Sequence, residues 1–192
     1  MFSTLQTTID LPLAHAFQGA GSAWLTELMQ WISLVFSPGV LMISALFITL
    51  YFWEHHDRHW GTKIFYLISG NVFILILKEL WGRPRPDPTA VSVRVHEYGF
   101  SFPSGHAIAV VLFAAVVLLT LRHLHRPSYR VAWWVLAALV LLVGWSRLYL
   151  GVHWFSDVVG GYLVAGAWIA VCVVGIWPTL DRSIQHINAP RL

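Results

Sequence analysis

The chain has 192 residues, 57% of them hydrophobic and only 11% charged, with a mean hydropathy of +0.66. A soluble domain carries about 25% charged residues, so the composition excludes an ordinary soluble fold and indicates an integral membrane protein. The net charge of +3 is too small to argue for nucleic acid, and a single cysteine, Cys172, leaves no intramolecular disulfide.

In chain order, Met1 to Ala20 has no basic start, carries Asp10 and lacks a continuous apolar core. It reads as a short surface-lying segment, and no cleavable signal is expected. Trp24–Phe36 is a candidate helix interrupted by Glu27 and Gln30 and stopped by Ser37-Pro38-Gly39, which predicts a helix in the membrane interface rather than a sixth span. Five apolar runs stand out, at Leu34–Trp53, Ile64–Trp81, Gly105–Leu121, Val131–Trp145 and Val158–Trp177. A spanning helix needs about 20 largely apolar residues, and several runs reach that length only if a polar end is counted in. The expectation is an all-α, integral membrane helical bundle of five transmembrane helices, or six, with an interfacial N-terminal helix. Residues 1–33 form the interfacial segment, 34–177 the transmembrane core and 178–192 a cytoplasmic tail of one domain.

The polar ends are Lys78, Ser104–His106 and Ser146–Arg147. Alternating helices place all three at one membrane face, near headgroup depth, where charge is costly and usually functional. The basic residues divide accordingly. Arg58, Lys63, Arg122, Arg126, Arg130, Arg182 and Arg191 fall on one side; Lys78, Arg83, Arg85, Arg94 and Arg147 fall on the other. The first group has no evident chemical reason to exist, so the positive-inside rule puts it in the cytoplasm and the polar ends outside.

Three segments on that face carry chemistry. KELWGRPRP sets Lys78 seven residues before Arg85-Pro86. Pro103-Ser104-Gly105-His106 opens an apolar helix, where proline needs no N–H and the open N–H groups of Ser104 and Gly105 offer an anion site. Lys78, Arg85 and Arg147 supply countercharge suited to a phosphate dianion, with arginine matching its oxygens. In SRLYLGVHWFSD, His153 and Asp157 are four apart and share a face if helical. A carboxylate on one imidazole nitrogen leaves the other as a lone pair, nucleophilic toward phosphorus. His106 is placed to protonate a departing oxygen.

Lys78–Arg85-Pro86, Pro103–His106 and Ser146-Arg147–His153–Asp157 together resemble the three signature motifs of the type 2 phosphatidic acid phosphatase family, in order and in spacing. The resemblance implies phosphate ester hydrolysis without metal or cofactor, through a phosphohistidine, at an extracytoplasmic site. It implies His153 as nucleophile, Asp157 as its orienting partner and His106 as the acid. Lys78, Arg85, Ser104, Gly105 and Arg147 would bind phosphate. The expected substrate is a membrane lipid, undecaprenyl diphosphate first, with phosphatidylglycerophosphate or phosphatidic acid as alternative. The expected location is a bacterial inner membrane with the site facing the periplasm or outside.

Taken singly, these residues have plainer readings: an interfacial histidine, or lysine and arginine snorkelling to headgroups. The combination of His-x3-Asp with a Pro-Ser-Gly-His helix start is what snorkelling does not require. His55, His56 and His59 read as a solvated loop, and His123 and His125 as a helix cap. His96 and Glu97 are candidates for headgroup selection. Asn71 and Ser69 are expected to bond between helices. Arg83 and Arg94 either add phosphate affinity or meet anionic headgroups. A transporter is a rival class, but the charges gather at one end of the bundle and do not cross its midplane. A soluble haloperoxidase, similar at the anion site, is opposed by the five apolar runs.

Overall fold

The computed structural model describes residues 2–19, 21–55 and 57–188; His56 and Arg191 lie outside them. Every regular element among the described residues is helical. A short helix α1 (Phe2–Leu5) continues through a π-helical stretch, Gln6–Asp10, into α2 (Leu11–Gln18). Then come α3 (Ala23–Val35), α4 (Pro38–His55), α5 (Arg58–Ile68) and a 3-10 turn Ser69–Val72 leading into α6 (Phe73–Trp81). A long connection reaches α7 (Gly105–His123), followed by α8 (Tyr129–Tyr149), α9 (Phe155–Ala170), a π-helical stretch Val171–Ile176 and α10 (Trp177–Asn188).

Five helical stretches are long and apolar enough to cross a membrane: Ala23–His55, Arg58–Trp81, Gly105–His123, Tyr129–Tyr149 and Phe155–Arg182. Their outward faces carry large apolar side chains in the open, such as Phe47, Leu141 and Leu163. Helices that are apolar all round require lipid or protein on every side. Within the first stretch, α3 ends at Val35 and α4 begins at Pro38. With 13 residues, α3 is about 20 Å long, too short to cross about 30 Å of hydrocarbon. The sequence expectation of a separate, non-spanning helix there holds in length.

Local chemistry sets the boundaries. The Asp57 side chain accepts from the N–H of Trp60 and opens α5. At the end of α6, Gly82 takes the left-handed conformation (φ 56°). Arg122 and His123 sit at the negative end of the α7 dipole. The core between α4, α5, α7 and α9 holds Ala45, Phe52, Ile64, Leu67, Ile108, Leu112, Val116 and Ala165. The close crossing of α7 and α9 depends on Gly161. A Cβ there would come within 2.8 Å of Ala107 Cβ and 2.9 Å of the Ser104 carbonyl. This approach fixes the head of α7 against the head of α9.

Two ends of the bundle differ in chemistry. At one, His123 stacks on Trp60 at 4.2 Å and faces Asp57 at 3.5 Å, while His59 and Lys63 pair with Asp181. His59 therefore belongs to a helix and an ion pair, not to a solvated loop, and His123 does more than cap α7. The opposite end gathers Lys78, Arg83, Arg85, Arg94 and Arg147, the five basic residues the sequence grouped together. The N-terminal segment also differs from the surface-lying strip expected. Asp10 and Gln18 are buried, and Gln18 bonds the backbone of Ser92 in both directions. A buried carboxylate needs partners, and those of Asp10 lie at the site.

Candidate active site

The long connection between α6 and α7 folds back over the bundle end and is pinned there by arginine. Arg94 lies over the Tyr149 ring at 4.2 Å and donates to the carbonyls of Tyr149 and Gln18. It is thus a loop anchor. The N–H of Arg94 bonds the carbonyl of Leu150. Gly151 next to it has φ 70°, and a Cβ there would sit 2.3 Å from the Ser92 carbonyl. Only glycine allows the chain to turn there and deliver His153 into the bundle.

His153 precedes α9, and Trp154 is the residue capping that helix. The pair His153–Asp157 is therefore formed across the first helical turn, not along one helical face. Oδ2 of Asp157 accepts from the N–H of Trp154 at 2.8 Å and lies 3.5 Å from Nδ1 of His153. On the other side of the ring, Nη1 of Arg85 is 3.3 Å from Nε2. Guanidinium only donates, so Nε2 is the acceptor and the ring proton belongs on Nδ1, facing Asp157. Burial, and then the charges of Arg147, Arg85 and Lys78, depress the His153 pKa well below the usual histidine value. Geometry and burial both favour the neutral imidazole, with the Nε2 lone pair facing Arg85.

Around this lone pair, Arg85 donates to Val152 O at 2.8 Å and Gly99 O at 3.1 Å and reaches Oε2 of Glu97 at 3.1 Å. The other Glu97 oxygen binds Nη2 of the buried Arg147, whose Nη1 donates to Ser33 Oγ. Nε2 of His106 lies 3.2 Å from Ser33 O and 3.4 Å from Ser33 Oγ. A continuous contact chain thus runs from His106 through Ser33, Arg147, Glu97 and Arg85 to His153. Lys78 donates to Phe100 O at 2.6 Å. Burial works to raise the Glu97 pKa, but the attraction of Arg147, reinforced by Arg85, holds it at about 2. Two arginines thus face one carboxylate.

At the head of α7 the expected pair of open N–H groups is corrected. The Ser104 N–H is taken by the carbonyl of Asp157 at 3.0 Å, which ties α7 to α9. The Ser104 hydroxyl is buried and without a hydrogen-bond partner. An opening lined by Gln30, Ser33, Leu34, Ser37, Glu97 and His106 leads in from the α3–α4 junction.

Residues 60–180 match the family described as the PAP2 superfamily. A relative, phosphatidylglycerophosphatase B of Bacillus subtilis, is 32% identical over 146 residues, covering 72% of this chain and 69% of its own length. The chain belongs to the PAP2 superfamily. Another relative, the undecaprenyl-diphosphatase of Sulfolobus acidocaldarius, is 41% identical over 42% of this chain and 35% of its own length. In structure, the chain is similar to the transmembrane PAP2 type phosphatidylglycerolphosphate phosphatase from Bacillus subtilis. The TM-score is 0.71 at 24% identity, with 98% of this chain and 90% of that one covered. These relatives are phosphatases by name, and this PAP2 chain is a phosphoric-ester hydrolase embedded in a membrane.

All eight site residues expected from sequence fall at the same bundle end. Ser33 and Asp10 were not legible as site residues, and the carboxylate partners of Arg83 were not legible either. Ser33 and Asp10 lie in segments with no motif. Arg83, two residues before Arg85, was expected to add phosphate affinity or meet anionic headgroups, yet it is buried and paired with Asp10 and Asp157.

Proposed function

We propose that this protein hydrolyses a lipid phosphate or diphosphate through a phosphohistidine, without metal. The observation that carries the reading is the environment of His153: Nε2 faces Arg85 at 3.3 Å while Nδ1 faces Asp157 at 3.5 Å. A substrate phosphate would take the place of Glu97 between Arg85 and Arg147, with Lys78, the Ser104 hydroxyl and the Gly105 N–H completing its contacts. Nε2 of His153 attacks phosphorus, and the P–O bond to the lipid breaks. His106 gives a proton to the leaving oxygen, and Asp157 stabilises the cationic ring. Water then attacks the phosphohistidine with His106 as base, releasing phosphate and restoring neutral His153. The donor set supports a metal-free reading, since cations, where metal phosphatases use carboxylates, surround the anion site.

The opening beside α3 and α4 admits a headgroup laterally from the membrane while its chains remain in lipid. Undecaprenyl diphosphate is the first substrate proposed. The 32% identity to phosphatidylglycerophosphatase B favours phosphatidylglycerophosphate as the second. Phosphate release from a panel of both lipids and phosphatidic acid, with excess EDTA and with vanadate, tests this. Activity should survive EDTA and fall with vanadate. Rapid acid quench should trap acid-labile phosphate on the wild type and none on His153→Ala; a phosphoenzyme persisting in that variant refutes the assignment.

A further inference from the structure

Asp10 and Arg83 are the charged pair that no motif accounts for. Arg83 is 1% and Asp10 0% exposed. Nη2 of Arg83 holds Oδ2 of Asp10 at 2.6 Å, and Nη1 holds Oδ1 of Asp157 at 2.6 Å. Ser156 closes the group. Its N–H donates to Oδ1 of Asp10 at 2.8 Å, its hydroxyl to Oδ2 at 2.8 Å, and Nη1 of Arg83 donates to that hydroxyl at 2.6 Å. A second face of Arg83 lies toward the Trp154 ring at 5.9 Å. Its carbonyl is held by the Ser101 N–H at 2.8 Å.

Burying charge is expensive, and an apolar cluster of the same volume is often as stable. Three buried charges therefore call for a reason other than stability. With Oδ1 on Arg83 and Oδ2 on the Trp154 N–H, the Asp157 carboxylate is held from two sides, with Oδ2 3.5 Å from His153 Nδ1. Held by Arg83 alone, however, that carboxylate would be neutralised by a cation at contact distance. It would then do little for a positive charge developing on His153. Asp10 supplies the compensating charge, so the trio behind His153 stays net negative.

We propose that Asp10 and Arg83 are positioning residues for phosphoryl transfer: Arg83 fixes Asp157 against His153, and Asp10 offsets the charge of Arg83. The N-terminal segment is thereby a working part of the site. This rests on the reading of His153 as nucleophile. It assigns both residues to the transition state and not to substrate binding, because neither lines the opening to the anion site.

A double-mutant cycle tests it on the full chain in detergent, with Asp10→Asn, Asp157→Asn and their combination. Rates on a lipid phosphate monoester are expressed per vanadate-binding site, so that unfolded protein does not count. Hydrogen-bond partners behind metal-ligating groups contribute about 10–100-fold, and the same order is expected for a carboxylate orienting a nucleophile. Asp10→Asn should lower kcat by that order while KM and vanadate affinity stay within about twofold. It should add nothing to Asp157→Asn, since its effect passes through that carboxylate. An unchanged kcat overturns the inference, as does the same fractional loss in both backgrounds, which is what a merely structural clamp gives. If Asp10→Asn does not accumulate, Arg83→Lys, with a point donor in place of the fork, is held to the same outcomes. Absence of acid-labile phosphate on wild-type His153 is a separate result; it removes the nucleophile and this role with it.

Discussion

Nη1 of Arg85 stands 3.1 Å from Oε2 of Glu97, so a carboxylate of the protein occupies the place proposed for the substrate phosphate. Arg147 binds the second Glu97 oxygen. Phosphate must displace Glu97 or share its partners. Glu97→Gln should therefore tighten inhibition by vanadate about tenfold, since one competing charged contact is worth about 1.5–3 kcal/mol, part of it retained by the amide. Unchanged or weaker inhibition would mean Glu97 and the anion do not meet.

The same carboxylate has a signature in stability. Its pKa falls from 4.5 unfolded to about 2 folded, so the unfolded chain binds the proton more readily. Its contribution is fully present above about pH 4.5 and is lost as pH falls toward 2. The Tm gap between wild type and Glu97→Gln should be widest above pH 5 and narrow steadily below 4.5. A gap that grows on acidification contradicts the pairing.

His153 has its pKa depressed by burial and by the surrounding cations. Its lone pair should stay available well below the pH at which an ordinary imidazole is half protonated, about 6.5. After correction for titration of the substrate phosphate, kcat/KM should show no acid limb at that pH. A limb near 6.5 that disappears in no other histidine variant would place the free-enzyme titration on His153 after all.

The two histidines should part by leaving group. A lipid alkoxide needs a proton as it departs, and general acid catalysis is worth about 10²–10⁴-fold. A p-nitrophenolate leaves unaided. His106→Ala should cripple hydrolysis of an alkyl phosphate far more than that of p-nitrophenyl phosphate, with a diphosphate lipid between them. His153→Ala should damage all three alike. Equal losses in His106→Ala would assign His106 to phosphate binding or to structure, the latter through its contact with Ser33.

Topology is open to chemical labelling. In a Cys172→Ser background, a cysteine at His96 should react with an impermeant thiol reagent in intact cells, and one at Arg126 should not. The reverse pattern would invert the orientation.

Much of this protein was written locally. The five apolar runs dictated helices because unpaired backbone is intolerable in hydrocarbon, and the three polar helix ends had to meet because alternating spans return to the same face. Lys78, Arg85, Ser104, Gly105, His106, Arg147, His153 and Asp157 were legible as candidates since each belongs to a short motif whose combined residue types suit chemistry on an anion. Tertiary structure alone decided the rest. Asp10 and Arg83 are 73 residues apart, and Asp10 reaches Ser156 across 146; no sequence period links such partners. Ser33 met His106 and Arg147 only when α3 packed against the bundle end. The Ser104 N–H was lost to Asp157 O because Gly161 lets α7 and α9 approach closely. Spacing along the chain determines which chemistry is present; which oxygen faces which nitrogen depends on packing between segments that share no local pattern.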